Sequence, residues 1–303
     1  MRVEVKNLDK RFGKTHAVRD LSFSVEPGKV TGFLGPNGSG KSSTMRLMLD
    51  LDRGAGHTLY DGKVLTELNP VTRAVGAHLD AKFFHPKRTA YAHLRMLGAE
   101  AGISKERVHE VLELVGLESV AKKRPGSFSL GMGQRLGLAG AILAEPKVLF
   151  LDEPANGLDP QSIQWLRDFL KSYAANGNSV FVSSHLLSEM QLLADDVVVI
   201  AAGQLIAAES MQQFLTRAQG TSVVVRSNAI ADLRAALESN GIESVVEGAN
   251  TLIATGVTTD RIGEIAFKSN IQLAELTMRS ASLEDVFLEL TESGQEYRVG
   301  GTK

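Results

Sequence analysis

An apolar run, Val30-Thr31-Gly32-Phe33-Leu34, leads directly into Gly35-Pro36-Asn37-Gly38-Ser39-Gly40-Lys41-Ser42, and Met45, Met48 and Leu49 follow at helical spacing. No other feature constrains the fold as much. Residues 35–42 fit the pattern GxxxxGK[ST], and the order strand, glycine-rich loop, helix is the context that pattern needs. The glycines let the loop turn its N–H groups inward around phosphate oxygens, and a helix starting near Lys41 adds its positive end. Ser42 then offers a hydroxyl to Mg²⁺. The plain alternative is a glycine-rich turn with no ligand.

The chain has 303 residues, enough for two domains and for a core that needs no covalent staples. It has no cysteine, which excludes disulfides, thiolate metal sites and a cysteine nucleophile. A formal charge of -2 gives no overall pull toward nucleic acid. The longest apolar run, Val197-Val198-Val199-Ile200-Ala201-Ala202, is a strand's length, far short of the roughly 20 residues of a membrane helix. The opening "MRVEVKNLDKRFGK" lacks the apolar core of a signal peptide. A soluble cytoplasmic protein is expected, with any membrane role requiring a partner.

Val3 and Val5, then Leu21, Phe23 and Val25, alternate with polar residues as half-buried strands do. From about residue 81 to 143 the pattern is helical: Val108, Val111, Leu112 and Val115 share one face, with Gly116 as a stop. Strand-like runs return at 148–151, 180–182 and 197–200, separated by helical segments, one carrying Ile163, Leu166, Leu170 and Tyr173. Strands alternating with helices predict a largely parallel sheet with a helical insertion. Beyond residue 220 the texture changes. Strand 222–226, helix 230–237 and strand 242–246 are followed by strand 252–254, helix 262–266 and strand 271–276, a repeated order that predicts a small ferredoxin-like α/β domain. A last helix with Leu283, Val286, Phe287 and Leu290 and a frayed tail complete the chain.

Two further stretches carry chemistry. Val148-Leu149-Phe150-Leu151 ends in Asp152-Glu153, two carboxylates at the strand edge where α/β sheets bind ligands. One carboxylate suits a hydrated Mg²⁺, and the other suits orienting an attacking water. The segment "SFSLGMGQR", residues 127–135, reads either as a serine-capped helix start or as an anion cradle of a serine hydroxyl and backbone N–H groups.

Residues 35–42, 127–135 and 148–153, "NGLD" (156–159) and "SSH" (183–185), in this order, resemble the ATP-binding subunit of an ABC transporter. The resemblance covers about residues 1–215. It implies an α/β P-loop NTPase domain over 1–218, with a RecA-like core, an antiparallel β subdomain and a helical insertion at about 81–135. An accessory domain at 220–292 and a flexible tail at 293–303 follow. ATP and Mg²⁺ are the implied cofactors. The implied partners are a second copy of the chain, closed around two ATP molecules, and an integral membrane permease docked on 81–125; no nucleic acid is expected. Such a subunit is peripheral on the inner face of the cell membrane, and the length and "EPANGLDP" look similar to drug-, antibiotic- or lipid-exporting systems.

Carried over position by position, the resemblance has Lys41 contact the β- and γ-phosphates within a cradle of Gly35, Pro36, Asn37, Gly38, Ser39, Gly40 and Ser43. Ser42 and Asp152 hold the metal, Glu153 is the catalytic base, and His185 senses the γ-phosphate. Asp159 belongs to the loop facing the opposite subunit, and Phe12 stacks on adenine. Ser129 and Gly131 bind the γ-phosphate of ATP held by the other copy. Two departures stand out. Leu130 and Met132 replace a glycine and a glutamine of LSGGQxQR. Asp80 occupies the position of a glutamine that contacts metal and attacking water, keeping a metal ligand while adding charge and removing an N–H donor. A non-transport ABC ATPase and a nucleotide-dependent regulatory switch remain as alternatives.

Overall fold

A computed structural model describes residues 1–80, 84–85, 87–218 and 221–280. The expected helix around Leu283–Leu290 and the tail at 293–303 lie outside the described residues. Two compact units divide between Met211 and Gln212. In the first, the elements are β1 (Val3–Phe12), β2 (Thr15–Val25), β3 (Val30–Leu34), α1 (Lys41–Met48), β4 (Ala55–Tyr60), α2 (Val71–Ala74), β5 (Val75–His78), α3 (Ala90–Leu97), α4 (Lys105–Leu114), α5 (Leu130–Ile142), β6 (Val148–Asp152), α6 (Pro160–Ala175), β7 (Ser179–Ser184), α7 (Leu187–Leu193), β8 (Asp196–Ala201) and β9 (Gln204–Ser210).

Six strands form one sheet in the order β5-β6-β7-β3-β8-β9, parallel except for the β8–β9 edge. Strands β3 and β7 are buried at every position and β6 at all but Asp152, as strands covered on both faces must be. That burial explains why their centres are apolar, with the buried polar residues Thr31, Ser179, Ser183 and Ser184 set among them. The alternating strands β1 and β2 join β4 in a separate antiparallel sheet, β2-β1-β4. Both sheets contribute to one core, in which Phe33 and Phe181 stack with ring centroids 4.9 Å apart and Phe23 and Phe150 close in at 5.7 Å from Phe181. Each such ring removed from water contributes about 1.5–3 kcal/mol, so this cluster fixes the sheet edge on which the site is built.

Parallel pairing aligns the carboxyl ends of β3, β6 and β7. Leu34 pairs with Ser184 and Asp152 with Ser183, so the segments that follow these strands all emerge at one edge. Helices α5 and α6 begin at side-chain caps: Ser129 Oγ accepts from Met132 N at 3.2 Å, and Asp159 Oδ1 accepts from Ser162 N at 2.9 Å with Pro160 in the first turn. Among the described residues no helix is long and apolar enough to cross a membrane.

Helix α8 (Met211–Ala218) runs across the division, and the second unit continues with β10 (Thr221–Arg226), α9 (Ile230–Ser239), β11 (Ser244–Val246), β12 (Thr251–Thr255), α10 (Thr259–Lys268) and β13 (Glu275–Ser280). Its sheet order, β11-β12-β10-β13 with all pairs antiparallel, is that of a ferredoxin-like domain. Val223, Val225, Leu252 and Ala254 pack against Leu233, Leu237, Ile262 and Ile265 of the two helices. The last strand differs from the sequence reading. The ladder with β10 starts at Glu275 opposite Arg226, so 271–274 is a connection whose Ile271 and Leu273 still pack on the core. Burial of those two side chains in a loop mimics a strand in the sequence.

Candidate functional site

The glycine-rich loop leaves β3 and is braced from outside. Gly203 N donates to Ser39 O at 2.9 Å and Ser39 N to Pro36 O at 3.1 Å. Gly38 and Gly40 have φ of 81° and 106°, where side chains are strained. Gly40 has a second requirement, because a Cβ there would overlap the carbonyl oxygen of Ala17. Gly35 has no room either: a Cβ would lie 2.5 Å from the Ile200 carbonyl oxygen. Ser39 Oγ, within the loop, is buried with no hydrogen-bond partner.

Lys41, 7% exposed, donates to Gly35 O at 2.6 Å and Pro36 O at 3.3 Å, and its Nζ lies 3.7 Å from Glu153 Oε1. Burial pushes the ammonium below the ordinary lysine value, opposed by the nearby charges of Glu153 and Asp152. The Lys41 charge is therefore offset by the neighbouring carboxylates, an arrangement in which phosphate oxygens can take over as its partners. His185, after β7, pairs Nδ1 with Glu153 Oε2 at 2.7 Å, and Asn156 donates to the same oxygen at 3.3 Å. Asp152 accepts from Ser183 Oγ, which itself accepts from Glu153 N at 2.9 Å. One pocket is lined by Asn37, Gly38, Gly40, Lys41, Ser42, Glu153, Asn156 and His185. Most of the phosphate-loop positions singled out from sequence thus meet Glu153 and His185.

Others lie outside that pocket lining. Phe12 ends β1 with 51% exposure and Lys10 Nζ 4.8 Å from its ring centroid, so it is not a core residue. Asp80 is exposed just after β5. Ser129 and Gly131 start α5 against the 156–159 loop: a Cβ on Gly131 would come 3.0 Å from Gly157 O, and the side chain of Leu130 covers Gly157. Asp159 is tied to this helix, since Ser162 Oγ donates to Asp159 Oδ2 at 2.7 Å and Arg135 donates to Ser162 Oγ. The two bonds from Ser162 hold the Asp159 carboxyl below the ordinary aspartate value. Two residues outside the sequence-derived site support it. Gln134 Nε2 donates to Glu153 O at 3.2 Å, and His78 pairs with Gln134 Oε1 at 2.5 Å. The signal for His78 was a lone histidine in the apolar run "VGAH"; burial pushes it below the ordinary histidine value, with Gln134 opposing.

The model of the ABC transporter family matches residues 18–156, and that of a domain of unknown function matches residues 221–284. An uncharacterised ABC transporter ATP-binding protein, YhcH of Bacillus subtilis, is 35% identical over 298 residues, 97% of each chain. The bacitracin transport ATP-binding protein BcrA of Bacillus licheniformis is 31% identical over 96% of this chain and 98% of that one. A solved structure of the ATP-binding subunit of an ABC transporter superposes with a TM-score of 0.65 at 25% identity, over 72% of this chain and 93% of that one. Together with the phosphate loop, Glu153 and His185 at one sheet edge, these likenesses establish that the chain belongs to the ABC transporter family as an ATP-binding, ATP-hydrolysing subunit.

Proposed function

We propose that the chain hydrolyses ATP between two copies of itself and so drives a separate membrane permease. The observation that carries this reading is the convergence of Lys41, Glu153 and His185 on one pocket at the carboxyl edge of a parallel sheet. In it, residues 35–41 and Ser43 wrap the phosphates, Lys41 exchanges its carbonyl partners and Glu153 for phosphate oxygens, and Phe12 offers an exposed ring to adenine. Glu153 receives the proton of the attacking water, and His185 holds the carboxylate toward that water. Ser42 and Asp152 suit Mg²⁺, which takes few protein ligands beside phosphate oxygens and supplies charge neutralisation at the transferred phosphoryl group. Asp80, close behind the β5 edge, serves as a further ligand and tunes the rate.

Ser129 and Gly131 complete the site of the opposite copy, and Asp159 lies on the loop between the two. Residues 1–218 are the hydrolytic domain, 220–292 an accessory domain and 293–303 a tail. The permease docks on 81–125, holding the subunit at the inner face of the membrane. Relatives named for bacitracin and lantibiotic transport support export of a drug, antibiotic, lipid or similar hydrophobic compound. The test is steady-state ATPase of wild type against Glu153→Gln, with co-purification from membranes. Loss of about 10²–10⁴-fold in turnover with ATP binding intact, and a multi-span protein recovered with the subunit, is the expected result. Equal rates refute Glu153 as base, and the absence of any membrane protein refutes the transport role.

A further inference from the structure

Behind Glu153 runs a short buried polar chain that the ATP pocket does not include. His78, at the end of β5, is 4% exposed and Gln134, in α5, is 6% exposed. The Glu153 carbonyl oxygen can only accept, so the amide nitrogen of Gln134 faces it and donates at 3.2 Å. That leaves Gln134 Oε1, which can only accept, against the ring, and the 2.5 Å contact makes His78 Nε2 the donor. With the amide reversed, a carbonyl oxygen would meet the Glu153 carbonyl oxygen.

Glu153 needs such support. Its φ is 49°, a left-handed conformation that costs a non-glycine residue about 1–3 kcal/mol and persists only where surroundings over-determine it. Its N–H is held by Ser183 Oγ at 2.9 Å, and its carbonyl oxygen accepts from Gln134 and, at 3.2 Å, from Asn156 N. The peptide groups on both sides of its Cα are thus anchored, and the direction of the carboxylate between His185 and Lys41 follows from that backbone. Helix α5 is shaped for the arrangement: at Gly137 a Cβ would overlap the His78 imidazole.

We propose that His78 is a positioning residue for hydrolysis, acting through the Gln134 amide to hold the Glu153 main chain in the conformation that aims its carboxylate. The proposal rests on Glu153 being the base. Two hydrogen bonds thus link the strand that leads into Asp80, the helix that begins at Ser129 and the main-chain carbonyl of Glu153.

The test compares ATPase kinetics of His78→Leu, His78→Gln, Gln134→Glu and the His78→Leu/Gln134→Glu double variant, each checked for folding by its thermal transition and assayed well below it. His78→Leu removes the donor at similar volume, and kcat is expected to fall about tenfold with KM and ATP affinity held within about twofold. His78→Gln restores an N–H donor and most of the rate. Gln134→Glu still accepts from His78 but sets a carboxylate against the Glu153 carbonyl, so it loses as much as His78→Leu, and the double variant loses no more. A folded His78→Leu with wild-type kcat, or a loss that His78→Gln does not relieve, overturns the proposal. If His78→Leu does not fold, a wild-type kcat in Gln134→Glu overturns it instead. Glu153→Gln is measured alongside. Full activity there brings down the base assignment, whereas an inactive Glu153→Gln beside unaffected His78 and Gln134 variants brings down the positioning role alone.

Discussion

Gly38 and Gly40 share a loop and a positive φ but differ in what surrounds them, and that difference sets the cost of adding one methyl group. At Gly38, φ 81°, a Cβ meets no atom within 4 Å. Gly38→Ala therefore bears the left-handed strain of about 1–2 kcal/mol, offset by about 0.4–1 kcal/mol from a stiffer unfolded chain, for a net loss of roughly 0.5–1 kcal/mol. At Gly40, φ 106°, the same strain is joined by overlap with the Ala17 carbonyl oxygen, a backbone atom of β2 that cannot rotate away. Adding about 2 kcal/mol of overpacking gives roughly 3 kcal/mol, or about 6–12 °C in Tm for a unit of this size. Because Gly40 precedes Lys41 and its carbonyl accepts from Thr44 N at 2.9 Å, the shift also moves the start of α1. Gly40→Ala is expected to weaken ATP binding by about tenfold or more, since it displaces the helix start whose backbone N–H groups are proposed to hold the phosphates, while Gly38→Ala, whose Cβ meets no protein atom, leaves the loop backbone in place and weakens binding less. Calorimetric melting and ATP titration of the two variants check this. Equal Tm losses, or Gly40→Ala binding ATP like wild type, would refute the packing account.

In the proposed site, Asp80→Gln removes a unit negative charge near the γ-phosphate and adds a donor; turnover is then expected to rise about tenfold, within the 1–4 kcal/mol that such a charge is worth at a few ångströms in a solvated site. An unchanged rate removes Asp80 from the site. The Asp159 carboxyl is held below its ordinary value by Ser162, so its charge stabilises the folded state above about pH 3.9 and that contribution fades as pH falls through the lower folded-state value. Asp159→Asn keeps the helix cap. It is expected to be less stable than wild type at pH 7, with the gap closing in acid; denaturant midpoints across pH 2–7 check this, and a pH-independent gap contradicts it.

Much of this was legible because the sequence signals were local. The strand, loop and helix of residues 30–49 are contiguous, and near-complete burial left β3, β6, β7 and β8 with apolar centres that a strand solvated on one face would not carry. The edge strands were harder. In β9, "QLIAAES", only Ala207 is buried, and β4 begins with three exposed residues, so neither shows a clean alternation. Within the site, Gly35, Lys41 and Ser42 follow from spacing. The partners that orient Glu153 do not: Ser183 is 30 residues away and Gln134 is 19, and Gln134 reaches His78 across 56 more. Only the fold of the sheet places them together. Leu130, conspicuous as a departure in sequence, turns out to cover Gly157 in its own chain.

In the proposed dimer each ATP lies between the phosphate loop of one copy and the Ser129 segment of another. Lys41→Ala and Ser129→Arg variants, each purified alone, should hydrolyse ATP negligibly, because every site in either pure dimer lacks one half. Mixed in equal amounts and allowed to exchange, they should recover about a quarter of the wild-type rate, since half of randomly formed dimers are mixed and each holds one intact site of two. A mixture no more active than its components, or a Ser129→Arg chain fully active by itself, would contradict the shared site.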